Sequence, residues 1–191
     1  MLALEEIKIA TEKITDRTNL LLAILESEGG TKQNEFQNVN LQRILDQAIT
    51  DLQRLSTSKE VTIKLTKPKQ NLEILANPEK ILQAIKFIIH NAIVYSQPKS
   101  NVKISLSANK SSTIIKFTDT GIGLTSQDKK YLFKAFKRSK TATQKWPDGF
   151  GFQLSLAQNI ITNNNGTLQI NSDGVNQGTN VKIVFKQEKQ S

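Results

Sequence analysis

The chain has 191 residues, a formal net charge of +9 and no cysteine. The absence of cysteine excludes disulfides, thiolate chemistry and cysteine-based zinc sites, and a single histidine excludes a multi-histidine metal site. Magnesium, which prefers oxygen ligands, is not excluded. No apolar run approaches the ~20 residues that span a bilayer. The first ten residues carry acids where a secretory signal needs bases.

The charge is distributed unevenly along the chain. Residues 1–29 carry three bases and six acids, whereas residues 30–191 carry 23 bases and 11 acids. A basic body is compatible with an anionic partner such as a nucleotide, a nucleic acid or an acidic protein, but the charge alone favours a solvated lysine-rich surface. Because no stacking pattern of aromatic residues accompanies the lysines, we expect no nucleic-acid partner.

The first predicted element is a long helix over residues 2–28 with an apolar heptad seam. Such a seam is buried only against another helix, so its partner lies elsewhere or in a second copy of the chain. Gly29 and Gly30 end the helix, and residues 30–40 are predicted to be a polar linker. The seam is formed by Leu4, Ile7, Ile14, Leu21 and Leu25.

The rest of the chain alternates helices and strands, which predicts an α/β sandwich with one face of a mixed sheet covered by helices. Asn77 and Pro78 provide an N-cap and a first-turn proline for the central helix. Residues 139–148 lack periodicity and are predicted to form a mobile loop. Helices are predicted at Leu41–Leu55, 78–95 and 151–161, and strands at Val61–Leu65, Leu72–Leu75, 101–108, 112–119, 167–171 and 180–185.

The central helix carries two adjacent polar residues, His90 and Asn91. His90 falls on the polar row of the helix with Lys86, so we assign it to the solvent-facing stripe without a chemical role. Asn91 shares a face with Phe87 and Val94, and an unsatisfied buried amide costs ~1–3 kcal/mol. It either caps a backbone group, the commoner case, or holds a hydrated metal ion through its carbonyl oxygen.

Two glycine motifs follow. In FTDTGIGLT, Gly121 and Gly123 permit close backbone approach or a turn, and Asp119 at the end of a strand is able to accept a hydrogen bond from a planar amino group. In DGFGFQLSLAQNI, Gly149 and Gly151 precede an apolar helix, whose first N–H groups are suited to phosphate. Between the motifs, residues 125–148 carry seven bases and two acids, as expected of a lid over polyphosphate. Each motif taken alone also fits an ordinary turn or cap.

The order of these motifs resembles the ATP-binding domain of sensor histidine kinases, within the GHKL family that includes DNA gyrase, MutL and heat-shock chaperones. HNAIVYS resembles the N box, DTGIGL the first glycine box, YLFKAFKRS the F box, DGFGFQLSLAQNII the second glycine box and NQGTNVKIVF the closing strand. The resemblance covers nearly the whole chain. It implies the Bergerat α/β sandwich for residues 41–187. Residues 1–29, ending NLLLAILESEGG, are similar to the second helix of a dimerisation four-helix bundle.

The resemblance also implies roles for individual residues. Asn91 is then the Mg²⁺ ligand, Asp119 binds the adenine amino group, and Gly121 and Gly123 make room for the purine. Arg138 reaches toward the phosphates. The complete set implied to bind ATP is Asn91, Tyr95, Asp119, Gly121, Ile122, Gly123, Phe133, Arg138, Gly149, Gly151, Phe152, Leu154 and Thr179.

The implied activity is that of a protein-histidine kinase, which transfers the γ-phosphoryl of ATP to a histidine on the dimerisation domain. That histidine is not in this sequence, and we do not expect this chain alone to autophosphorylate. The implied partners are a second copy through the N-terminal helix and a response regulator receiver domain. The implied location is cytoplasmic, with membrane anchoring of a full-length protein by upstream segments left open.

Four positions depart from the family pattern, and one of them is Ala135, which replaces an F-box arginine. Phe87 stands where a polar residue is usual, Val94 replaces a lysine or arginine, and Gln153 replaces a third glycine. The loss of a charged phosphate contact removes ~1.5–3 kcal/mol. A degenerate pseudokinase of the same fold, which binds nucleotide or a partner without transfer, is therefore the alternative function.

Overall fold

The computed structural model describes residues 36–147 and 149–186, together with Thr11, which is helical. The rest of the predicted N-terminal helix lies outside the described residues, and so do residues 30–35. The strands are β1 Gln37–Asn40, β2 Thr62–Thr66, β3 Glu73–Ala76, β4 Asn101–Ala108, β5 Ser112–Thr118, β6 Gly166–Asn171 and β7 Asn180–Lys186. The helices are α1 Leu41–Asp51, α2 Gln53–Ser58, α3 Pro78–Val94, α4 Ser126–Tyr131, α5 Lys140–Lys145 and α6 Gln153–Asn163.

Five strands form one mixed sheet in the order β2-β4-β5-β7-β6. The β2–β4 pair is parallel and the other pairs are antiparallel. Along each strand, buried and more exposed residues alternate, because successive side chains point to opposite faces of a sheet. The mixed sheet with one covered face confirms the predicted α/β sandwich.

The buried face of the sheet packs against helices α3 and α6, and α3 contacts both α1 and α6. Helix α3 begins as predicted, with the Asn77 side chain accepting a hydrogen bond from the Lys80 N–H at 3.0 Å and Pro78 in the first turn. Its isoleucines, among them Ile81, Ile85 and Ile88, are almost fully buried. Burial of such side chains contributes roughly 1.5–3 kcal/mol each and fixes α3 against the sheet.

The prediction of a polar linker up to Asn40 is wrong in its last four residues. Strand β1 pairs antiparallel with β3 in a separate two-stranded sheet, and Val39 is buried. A four-residue strand with one apolar residue shows almost no alternation of apolar and polar residues, so the sequence does not predict this strand. Helix α1 also ends earlier than predicted, at Asp51, and the chain continues through Leu52 into the short helix α2.

The predicted mobile loop at 139–148 contains helix α5 instead. The Ser139 side chain caps α5 by accepting a hydrogen bond from the Ala142 N–H at 3.1 Å. Upstream, Thr125 and Asp128 form a capping box on α4. A six-residue helix is too short to show a helical period. Within the described residues, no helix combines the length and apolar character needed to cross a bilayer.

Candidate functional site

A cleft of about 620 Å³ lies between helix α3, the turn after β5 and the segment that links α4 to α6. Ten residues that the resemblance assigned to ATP line it, and they come from five separate parts of the chain. The tertiary structure therefore brings most of the assigned residues to one cleft. These residues are Asn91, Tyr95, Asp119, Ile122, Gly123, Arg138, Gly149, Gly151, Leu154 and Thr179.

Asp119 is the buried carboxylate of the cleft, with 8% of its surface exposed. Its Oδ1 accepts hydrogen bonds from the Gly121 N–H at 2.8 Å and the Thr179 N–H at 3.1 Å. Its own N–H donates to the Thr179 carbonyl at 3.1 Å. Within the described part of the chain, Oδ2 accepts no hydrogen bond, so one carboxylate oxygen remains available to an amino group in the cleft.

The electrostatics of Asp119 follow from this burial. Desolvation raises the pKa of Asp119 to about 6, and the hydrogen bonds from Gly121 and Thr179 oppose the rise. Oδ2 is not among the fully buried, unpaired side-chain atoms of the described residues, so a donor in the cleft is able to reach it. Asp119 therefore joins two segments of the fold through Oδ1 and offers Oδ2 to a donor in the cleft.

The first glycine motif is held between the end of α3 and the 174–178 loop. The Ile122 N–H donates to the Tyr95 carbonyl at 3.1 Å, and the Gly178 N–H donates to the Gly121 carbonyl at 3.1 Å. A Cβ at Gly121 would lie 2.4 Å from the Tyr95 carbonyl oxygen. Gly121 thus permits backbone packing against α3, and it does not line the cleft as Gly123 does.

Asn91 faces the cleft from α3. Its side-chain amide forms no hydrogen bond within the described residues, so the structure does not show the capping role that the sequence left open. Phe87, one turn earlier, is partly buried against the core and does not line the cleft. Val94 is 2% exposed and also lies outside the lining. Neither departure from the family pattern fills the cleft.

Arg138 lines the cleft, but its guanidinium is bonded to the segment that covers it. It donates to the carbonyls of Ala142 at 2.6 Å, Gly149 at 2.5 Å and Trp146. Gly151 has φ of +73°, and a Cβ there would lie 2.5 Å from Arg138 Cγ. The second glycine motif therefore packs against Arg138 as well as facing the cleft. The Arg138 guanidinium holds residues 142–149 of the covering segment together through these hydrogen bonds.

The placement of His90 on a solvent-facing stripe is wrong. His90 is only partly exposed, and its ring meets the Trp146 ring edge-on, with centroids 5.9 Å apart and an interplanar angle of 79°. The Lys59 ammonium lies 4.7 Å from the Trp146 ring centroid. The cause is tertiary, because the segment carrying α5 folds back over α3 and covers a row that is polar by helical period alone.

Helix α6 begins beside the cleft, with Gln153 and Leu154 in the lining. Its N-cap, Phe152, provides no side-chain hydrogen bond, so the first N–H groups of α6 have no side-chain cap. Phe152 itself is 4% exposed and packs against Phe136, with ring centroids 5.9 Å apart. Phe133 packs against the core. Both of these assigned residues support the cleft from behind.

Sequence reasoning missed several lining residues in the covering segment. Lys137, Lys140 and Trp146 line the cleft, and within the described residues neither lysine side chain forms an ion pair or a hydrogen bond. The basic composition of residues 125–148 predicted a cationic lid but not which cations face inward. That choice depends on the placement of α5, which has no periodic signal.

Comparison with known proteins places most of the chain in one family of ATPases. Residues 76–189 match the family described as "Histidine kinase-, DNA gyrase B-, and HSP90-like ATPase". The signal transduction histidine-protein kinase ArlS of Staphylococcus aureus (strain USA300) is 30% identical over 184 residues, which cover 95% of this chain and 40% of ArlS. The chain thus spans about two-fifths of the length of the curated relatives it matches.

Solved structures share the fold at low sequence identity. Acinetobacter baumannii histidine kinase AdeS superposes with a TM-score of 0.70 at 19% identity, over 97% of this chain and 82% of that one. The catalytic domain of histidine kinase ThkA superposes with a TM-score of 0.69 at 18% identity, over 80% of this chain and 95% of that one. The chain belongs to the histidine kinase-, DNA gyrase B- and HSP90-like ATPase family, as a histidine kinase ATP-binding domain.

Proposed function

We propose that the cleft binds Mg·ATP and that the domain presents the γ-phosphoryl to a histidine on a dimerisation helix, a histidine that this sequence does not contain. The observation that carries the proposal is Asp119, a buried carboxylate with one oxygen engaged by two backbone N–H groups and the other turned to an open cleft. An adenine amino group is a hydrogen-bond donor of the kind that this oxygen requires. The match to an ATPase family indicates ATP as the ligand that carries it.

The base is positioned by Asp119 and Thr179 at one end of the cleft. Tyr95, Ile122 and Gly123 line the same region, where they would pack on a purine and exclude water. Excluding water strengthens the hydrogen bond to Asp119 because the local dielectric falls. Recognition of adenine by this end of the cleft thus rests on one charged acceptor in an otherwise apolar and backbone-lined wall.

The triphosphate is assigned to the other end, between Asn91, the start of α6 and the lid lysines. The first N–H groups of α6 and the ammonium groups of Lys137 and Lys140 would meet the anionic oxygens. Phosphoryl transfer depends chiefly on position and charge stabilisation. These groups would hold the γ-phosphoryl in place and offset its charge.

A magnesium ion fits the oxygen donor of Asn91. Among the described residues, no cluster of three or more His, Asp or Glu is arranged to hold a metal, and Mg²⁺ at nucleotide sites uses one or two protein oxygens together with phosphates and water. The Asn91 side chain faces the cleft without an internal hydrogen bond, as such a ligand requires. Magnesium would neutralise phosphate oxygens there.

The partners of the complete protein belong to the same proposal. Homodimerisation through residues 1–29 would form part of the four-helix bundle. The phosphoacceptor histidine would lie on the first helix of that bundle, which this sequence does not contain, and a response regulator receiver domain would accept the phosphoryl group next. The heptad seam and the kinase relatives support this assignment. The pseudokinase alternative is not favoured, because the cleft is open and Phe87 packs away from it.

Nucleotide titration tests the proposal. Trp146 is the single tryptophan and lines the cleft, so its fluorescence reports occupancy. We expect saturable binding of ATP that tightens with magnesium, and Asn91→Ala is expected to remove the magnesium dependence while leaving metal-free binding. Asn159→Ala, an exposed asparagine on α6, is the matched control. Binding that ignores magnesium, Asn91 and Asp119 alike would overturn the assignment.

A further inference from the structure

The open face of the five-stranded sheet carries a set of five lysines, which we name the lysine face: Lys64, Lys103, Lys116, Lys182 and Lys186. All five lie at positions whose neighbours along the strand point into the core. Four are exposed and Lys182 is half-buried. Among the outward positions of these five strands there is no aspartate, glutamate, arginine or aromatic residue. The lysine face is therefore an uncompensated cationic surface.

The strand register places these charges side by side. Lys64 lies directly opposite Lys103 in the β2–β4 pair, and Lys116 lies directly opposite Lys182 in the β5–β7 pair. Lys103 and Lys116 are diagonal neighbours, two residues apart in the β4–β5 register. Like charges directly opposite each other destabilise a sheet. The arrangement therefore works against the fold and calls for an external anion.

The lysine face is separate from the cleft. The cleft uses inward-facing sheet residues such as Ile170 and Val181, whereas the lysines project from the opposite side of the same strands. None of the five lysines forms an ion pair or a hydrogen bond with the described residues. A partner on this face would leave the cleft and its lid accessible.

The chemistry of the face indicates what kind of anion it meets. A surface that binds a protein partner usually carries aromatic or arginine side chains as anchors. A surface that binds nucleic acid sequence-specifically needs an element that enters a groove, or aromatic side chains that stack on bases. The outward positions supply neither. Lysine is a point charge that acts without fixed geometry. The four neighbouring strands that carry the five lysines extend across roughly 14 Å at ~4.8 Å per strand. A broad face of unpaired lysines fits a laterally uniform anionic surface.

We propose that the lysine face docks the domain on an anionic lipid bilayer. Each lysine near such a surface contributes about 1 kcal/mol, which corresponds to roughly a fivefold gain in partitioning. The association is electrostatic, so it weakens as salt shortens the Debye length. It requires no membrane-spanning segment, and it holds the nucleotide cleft on the side facing away from the lipid.

Vesicle sedimentation tests the proposal. The chain is mixed with phosphatidylcholine vesicles containing 30% phosphatidylglycerol and with pure phosphatidylcholine vesicles, at low and high salt. We expect binding to the anionic vesicles alone, lost at high salt. A face variant with Lys64, Lys103, Lys116 and Lys182 changed to glutamine should bind at least thirtyfold more weakly. Indifference of the unmodified chain to phosphatidylglycerol overturns the proposal.

A matched variant separates this face from net charge. Arg54, Lys69, Lys99 and Lys130 are exposed and lie off the sheet face. Changing them to glutamine removes the same charge and should weaken vesicle binding by less than threefold. An equal loss in both variants contradicts docking through the lysine face. Tighter binding of duplex DNA than of the vesicles, lost in the face variant, also contradicts the lipid assignment and identifies nucleic acid.

The face variant provides its own folding control. Removing two opposed lysine pairs should leave the melting temperature unchanged or raised. Its Trp146 fluorescence response to ATP should match that of the unmodified chain, because the lysine face lies across the sheet from the cleft. Failure of the proposed nucleotide function would thus be distinguished from failure of lipid docking.

Discussion

Asp119 and Thr179, sixty residues apart in the sequence, exchange two hydrogen bonds. The Thr179 N–H donates to the Asp119 carboxylate, and the Asp119 N–H donates to the Thr179 carbonyl, each at 3.1 Å. The pair joins the start of the first glycine turn to the residue just before β7. It fixes one carboxylate oxygen and leaves the other facing the cleft, so the same contact builds the fold and orients the candidate ligand-binding group.

Asp119→Asn is expected to stabilise the chain while weakening ATP binding. Burial raises the pKa of Asp119 from 3.8 to about 6, so the native state binds the proton more tightly than the unfolded state. Stability from this group is fully present below pH ~4 and is lost as pH rises through 6. The loss is on the order of 3 kcal/mol.

The measurement is thermal unfolding of both proteins from pH 4 to 8. The gain in stability of Asp119→Asn should be absent near pH 4, grow between pH 4 and pH 6, and stay constant above that range. ATP affinity should fall roughly 10–100-fold, because a hydrogen bond to a charged group contributes about 1.5–3 kcal/mol. A variant less stable than the parent at pH 8 would show that the carboxylate supports the fold.

The pH dependence of nucleotide binding isolates the same carboxyl group. Ionised Asp119 accepts a hydrogen bond from an adenine amino group through its free Oδ2, whereas a proton on that oxygen removes the acceptor, so affinity should fall as pH drops below about 6. A pKa near 6 predicts a loss of roughly tenfold between pH 7 and pH 5. Asp119→Asn should lack this component, and the difference between the two profiles removes the contribution of phosphate titration.

Arg138→Ala is expected to loosen the lid. The guanidinium donates to three carbonyls of the 142–149 segment, and each hydrogen bond from a charged group contributes about 1.5–3 kcal/mol. Without it, Trp146 should become more solvated, its emission should shift to longer wavelength, and proteolysis within residues 137–151 should speed up. Lys130→Ala, an exposed change in α4, is the control. An unchanged spectrum and cleavage rate would contradict the tie.

Val94→Lys tests whether restoring the lysine of the family pattern also restores a phosphate contact. Val94 is 2% exposed and lies outside the cleft lining, so a lysine there must bury an unpaired charge. We expect a loss of stability on the order of 2–4 kcal/mol and no gain in ATP affinity. Urea unfolding and nucleotide titration measure the two effects. A stable variant with tighter ATP binding would show that the position communicates with the phosphate site.

The elements with strong local signals were predictable from sequence. Asn77 and Pro78 indicated where helix α3 begins. Apolar and polar residues alternated clearly along strands β4 and β5, on either side of a short turn. The order of the motifs singled out Asp119 and Asn91, and both residues line the cleft. Short elements were not predictable, because β1 and α5 contain too few residues to show a period.

The sequence by itself determined the layers of the sandwich, the motif order and the family, because periodicity and motif spacing are local properties of the chain. Only the tertiary structure decided that Arg138 binds lid carbonyls, that Trp146 covers His90 and that four lysines from four strands lie side by side. Those outcomes depend on strand register and on how the lid folds over α3, and both are set by contacts between residues far apart in the chain.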